Sequence, residues 1–141
     1  MIVTHVRNNN QIIEWDMNSD VENLIIIADQ GIGDEIMFLR ILKLINCRKY
    51  TLCIDHRLVE IVKNSFMDIK IVGKNDIYEN INHLNSYSHY ILLPDLCSKY
   101  IRNEDSLKKL ESSYLKVNGK LKSELKEKII DESKVNIGLS W

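Results

Sequence analysis

The run Asn23-Leu24-Ile25-Ile26-Ile27-Ala28, broken by Gln30-Gly31-Ile32-Gly33, constrains the fold of this chain more than any other segment. It has strand length and offers no polar side to water. It therefore predicts a strand buried on both faces, as in a parallel sheet covered by helices. After the glycines, Asp34 to Asn46 reads as a helix, with Asp34 and Glu35 in the first turn where acids complement the dipole. Met37, Phe38, Ile41, Leu42, Leu44 and Ile45 spread over a broad face, so this helix is expected to lie on the sheet.

The alternation of strand and helix repeats downstream. Tyr50 to Ile54 and Ile69 to Val72 read as strands, with a helix from His56 to Ser65 between them. A short helix over Asp76 to Leu84 then leads to a strand at Tyr90 to Leu93, stopped by Pro94. Such spacing implies βαβ units with right-handed crossovers: an α/β, Rossmann-like domain with a mainly parallel sheet flanked by helices. Before this core, two β-prone runs around Asn8-Asn9-Asn10 predict an N-terminal β-hairpin, because Asn tolerates the positive φ of a tight turn. Beyond Pro94 the pattern loosens. It holds a helical turn at Leu96 to Ile101, a short helix near Lys108 and an extended piece at Tyr114 to Val117. A charged helix follows over Lys120 to Glu132, with Leu121, Leu125 and Ile129 four apart. Val135 to Trp141 reads as a terminal strand, a sticky edge unless another chain pairs with it.

Composition excludes several classes. At 141 residues the chain fits one domain, and 45% apolar with 28% charged residues argues against wholesale disorder. A net charge of −1 gives no footing for nucleic-acid binding. No apolar stretch has membrane-spanning length and the first residues lack a signal-peptide core, so a cytoplasmic location is the default expectation. Cys47, Cys53 and Cys97 form no C-x-x-C pair, and the histidines show no ligand spacing. The cysteines are expected to be small buried hydrophobes, and no metal is expected.

In a parallel sheet, ligands sit beyond the carboxyl ends of the strands. The Gly31-Ile32-Gly33 turn lies there, where backbone N–H groups at a helix start can meet a ligand. The dinucleotide fingerprint is incomplete, since Ile36 stands at its third glycine. Asp34 and Glu35 would also repel a pyrophosphate, so no cofactor is expected. Asp34 has two readings: a first-turn acid that stabilises its helix, or a general base accepting a proton from a sugar hydroxyl. Asp29 and Asp95, each at a strand end, are candidates for the same rim or simple turn residues. His56, after Asp55, reads as a capping-region residue, and Trp15 as core.

The segment Leu24 to Arg40, LIIIADQGIGDEIMFLR, resembles the EQGxGDxxxFxR stretch of bacterial glycosyltransferases associated with tetratricopeptide repeats. These are similar to the heptosyltransferases and share the GT-B architecture of two facing Rossmann-like domains. Glu14-Trp15-Asp16 resembles the family's W-D/N-G segment, with Met17 in place of the glycine. Leu92 to Leu96, Ser113 to Val117 and Ile137 to Trp141 resemble, in order, its SLPxL, PYLxA/V and VGLSWxG stretches. The resemblance implies that Asp34 occupies the position of the proposed catalytic base, whereas Asp29 replaces the usual Glu. It further implies an acceptor-side half at residues 1–118, with an interdomain-type helix and the first strand of a second, donor-binding domain at 119–141. The expected partners are a sugar or glycosylated acceptor, a separate donor-binding half, and a second copy paired through the terminal strand. The alternative expectation is a non-catalytic binding or assembly module that keeps the fold.

Overall fold

The computed structural model describes residues 2–45, 49–110, 113–131, 133–135 and 137. Five parallel strands, β1 (Ile13–Glu14), β2 (Leu24–Ile27), β3 (Tyr50–Ile54), β4 (Lys70–Gly73) and β5 (His89–Leu92), form one sheet in the order β1-β5-β2-β3-β4. The α/β, Rossmann-like class expected from the central apolar run is the observed one. Every residue of β2 is buried, because β2 is central and helices cover both faces.

The two faces are read directly from the period of two. Leu24, Ile26, Leu52, Ile54, Ile71 and Ile91 point into one core, shared with α2 (Ile32–Phe38), α3 (Val59–Ser65) and α5 (Leu93–Tyr100). Ile25, Ile27, Cys53, Tyr90 and Leu92 point into the other, shared with α1 (Ile2–Asn8) and α4 (Lys74–Glu79). From β2 to β4 the chain advances with its helices on the first face. It then turns back to β5, which lies between β1 and β2, with α4 on the second face. Right-handed crossovers require this change of face when the direction of advance reverses.

The N-terminal hairpin is not formed. Residues Ile2–Asn8 are helical, and β1 pairs in parallel with β5 (Ile13 opposite His89, Glu14 opposite Tyr90). Ile2, Val3 and Val6 make one helical face, all buried in the second core. The area gained by covering that face outweighs the modest β preference of Ile and Val. The Asn run ends the helix instead of turning a hairpin: the Asn9 side chain accepts from the Gln11 N–H at 2.9 Å and donates to Asn85 Oδ1 at 2.9 Å.

The helix expected over 34–46 is α2 followed by a 3-10 segment, Leu39–Leu44. Leu39, Ile41 and Leu42 are all buried. In a continuous α-helix Leu39 and Ile41 would point roughly 200° apart, whereas three residues per turn stack Leu39 under Leu42. Met37, expected on the core face, is 54% exposed.

Beyond β5, Pro94 opens α5 rather than stopping a strand, since its missing N–H costs nothing in a first turn. Asn103 caps α6 (Glu104–Lys108) through the Ser106 N–H. Tyr114 is buried against Phe66, and its hydroxyl donates to the Ile36 carbonyl, which ties the 113–117 segment to α2. Helix α7 (Gly119–Ile129), capped by the Asn118 side chain, follows. Of the expected terminal strand, Asn136 and residues 138–141 lie outside the described residues. Val135 and Ile137 are in no regular element.

Candidate functional site

The carboxyl rim of the sheet collects the residues singled out from the sequence. Asp29 and Gly31-Ile32-Gly33-Asp34 follow β2, and Asp95 follows β5. The two strands are neighbours in register, Ile27 opposite Leu92. The structure thus brings all six candidates to adjacent strand ends.

Gly31 is the N-cap of α2 and has no side chain to accept from the first helical N–H groups, so the helix start carries no side-chain cap. Neither Gly31 nor Gly33 has positive φ. A methyl group on Gly33 would meet nothing within 4 Å, and on Gly31 only Asp34 Oδ2 at 3.8 Å. The fold itself does not demand either glycine; the bare backbone leaves room at the helix start. Asp34 is exposed on the first turn, and among the described residues none hydrogen-bonds or ion-pairs with its carboxylate. Asp29 is half-buried, its N–H donating to Gln30 Oε1 at 3.2 Å. Asp95 is half-buried in the first turn of α5.

One residue of this rim was not singled out. Glu35, read with Asp34 as a first-turn acid that complements the helix dipole, is completely buried. Its Oε2 accepts from the Asp55 N–H at 2.9 Å, and its Oε1 is ion-paired with Lys74 Nζ. Lys74 starts α4 directly after β4, and Asp55 follows β3. One carboxylate therefore links the loops after β2, β3 and β4. A legible signal existed: Glu35, Leu39 and Leu42 fall at i, i+4 and i+7, which puts the acid on the core stripe of its own helix.

The next loop is locally closed. The Asp55 carboxylate accepts from Arg57 Nε, Nη2 and backbone N–H, each at 2.9 Å. The Arg57 side chain first, and its N–H second, hold the Asp55 carboxyl well below the usual carboxylate range. His56 is exposed beside it, as a capping-region residue would be. After β4, the Gly73 N–H donates to Asp76 Oδ2 at 3.0 Å, closing the start of α4.

The remaining candidates behave as side chains of the core. Trp15 is buried and its Nε1 donates to the Ser19 carbonyl at 3.0 Å. Burial pushes the thiols of Cys53 and Cys97 up to about 12, so both stay protonated and inert at neutral pH. Cys47 lies outside the described residues. Among the described residues no three His, Cys, Asp or Glu side chains group as metal ligands, and no helix is long and apolar enough to cross a membrane.

What distinguishes the Asp34 region is a helix start without a side-chain cap and a carboxylate that no described residue pairs with, with two further carboxylates on adjacent strand ends. Such an arrangement can accept a proton from a hydroxyl or hydrogen-bond a polyol; the cations described on the loops after β3 and β4, Arg57 and Lys74, are ion-paired with Asp55 and Glu35. A cleft away from this rim lies between the Asn8–Gln11 turn and Asn82 and Asn85. No family model, curated protein or solved structure matches the chain.

Proposed function

We propose that the chain is the acceptor-side half of an inverting, nucleotide-sugar-dependent glycosyltransferase, with Asp34 as general base. The observation that carries this reading is the placement of Asp34: exposed, without a partner among the described residues, and on the first turn of the helix that leaves the central strand. The ordered resemblance from Glu14 to Trp141 points to the same residue.

In this reading the acceptor hydroxyl lies against Gly31 to Asp34, with Asp29 and Asp95 as further hydrogen-bond acceptors. Asp34 takes the hydroxyl proton while the oxygen attacks the anomeric carbon. The nucleoside diphosphate leaves, stabilised by positive groups on a separate donor-binding half. One base and no covalent intermediate gives inversion. The chain alone is proposed to be inactive, because a leaving diphosphate needs positive charge and the described rim cations Arg57 and Lys74 are already ion-paired with Asp55 and Glu35.

The test is amide chemical-shift mapping on the isotopically labelled chain, with a panel of hexoses and heptoses and, separately, nucleoside diphosphates. Sugars are expected to shift the amides of Asp29 to Asp34 and Asp95, and nucleotides to leave them unmoved. Nucleotide binding at the rim with no sugar response would overturn the assignment. In an enzyme reconstituted with a donor-binding half, Asp34→Asn should lower turnover by about 10²–10⁴-fold without loss of fold.

A second reading is a non-catalytic binding or assembly module, favoured by the engagement of the described rim cations Arg57 and Lys74 in ion pairs with Asp55 and Glu35. It predicts that Asp34→Asn changes nothing beyond helix stability.

A further inference from the structure

Helix α7 carries an exposed apolar stripe. Leu121 is 50% exposed, Leu125 45% and Ile129 69%, and no residue of this helix is buried. Val117 before the helix and Ile130 after it extend the patch. Together with Leu125 and Ile129 they line a shallow groove edged by Lys122 and Lys126. The preceding segment is anchored, since the Lys116 N–H donates to Ser65 Oγ at 2.8 Å. The apolar stripe is thus presented outward from a fixed stalk.

The charges around the stripe are segregated. At 100° per residue, Lys122 and Lys128 stand about 60° to either side of Leu125, and Lys126 about 100° away. Glu124 lies about 100° off, and Glu127 on the opposite face. Both shoulders nearest the apolar stripe are therefore lysine. Long lysine side chains so placed extend over the apolar face and set their ammonium groups at the edge of whatever covers it. The complement is a broad apolar layer rimmed with negative charge.

We propose that the α7 face docks on an anionic lipid bilayer, with Leu121, Leu125 and Ile129 entering the headgroup boundary and Lys122 and Lys128 meeting lipid phosphates and carboxylates. A short stripe on an 11-residue helix is small beside the roughly 800 Å² per partner of a stable protein interface. A bilayer requires no matching shape and adds the attraction of each lysine. This docking does not depend on the transferase reading.

The test is co-sedimentation of the full chain with vesicles of phosphatidylcholine alone and of phosphatidylcholine with about a third phosphatidylserine. Binding is expected only to the anionic vesicles, and to weaken as salt is raised. The paired variant Lys122→Glu with Lys128→Glu and the single variant Leu125→Asp should each lower partitioning by roughly tenfold or more. Neither touches a buried residue, and unchanged melting curves would verify the fold. No binding, equal binding to neutral vesicles, or binding indifferent to both variants would overturn the proposal. A mass that doubles with concentration in light scattering, without lipid binding, would assign the face to a second copy and overturn it equally.

Discussion

The Glu35 carboxylate, fully buried at the head of α2, is ion-paired with Lys74 at the head of α4, across the ends of strands β3 and β4. The lysine side chain is only 13% exposed. Removing either partner leaves a charge in the core without compensation, which costs about 3–5 kcal/mol. Glu35→Gln and Lys74→Met are each expected to destabilise by about that amount in urea denaturation. The double variant should cost clearly less than their sum, since it buries no unpaired charge. Strict additivity would show that the pair does not act as a unit.

Met17 is the single non-glycine residue with positive φ among those described, at 69°. A Cβ in that conformation costs about 1–2 kcal/mol. Met17→Gly and Met17→Ala both discard the half-buried side chain, but only glycine removes the strain. The glycine variant is therefore expected to be more stable than the alanine variant by about 1 kcal/mol. Equal melting temperatures would refute this.

Gly33 stands in the first turn of α2 with open space where a Cβ would point. Gly33→Ala should stabilise the free chain by about 0.5–1 kcal/mol, through helix propensity and a less flexible unfolded state. The same methyl should weaken any ligand that approaches the helix start. Stability up and acceptor binding down is the expected pair of readouts from thermal denaturation and sugar titration. A destabilised Gly33→Ala would mean that the glycine serves the fold.

Acid should destabilise the chain partly through Asp16 and Asp55. Hydrogen bonds from the Ser19 N–H and hydroxyl and the Asn18 N–H hold Asp16 down at about 2. Both carboxyls are depressed in the folded state relative to the unfolded one. Their stabilisation is present above the unfolded value of about 4 and is lost as pH falls through the folded value. Stability should decline from about pH 4 towards pH 2, and Asp16→Asn should flatten that slope. An unchanged slope would remove Asp16 from the acid response.

The expectations that held rest on short-range signals. The Leu24–Ala28 run could only be a doubly covered strand, and the next strands followed from alternation with turn residues between them. Asp34 could be placed at a strand end from the glycines beside it. The N-terminal segment was misjudged because Ile2, Val3 and Val6 suit either a strand or a helix; the free surface of the second sheet face decided it. Glu35 was misjudged for a related reason. Adjacent acids at a helix start look alike, and only the packing of α2 turns one outward and buries the other beside Lys74.

The amino-acid sequence by itself determined the class of fold and the location of its rim, because both follow from runs and periods a few residues long. Tertiary structure alone decided the return of β5 to a place beside β2, which brings the segment carrying Asp95 to the strand end adjoining the one that carries Asp29 and Asp34. It also paired Glu35 with Lys74, 39 positions apart. Such meetings depend on the direction and face of each crossover, which no local pattern of side chains records.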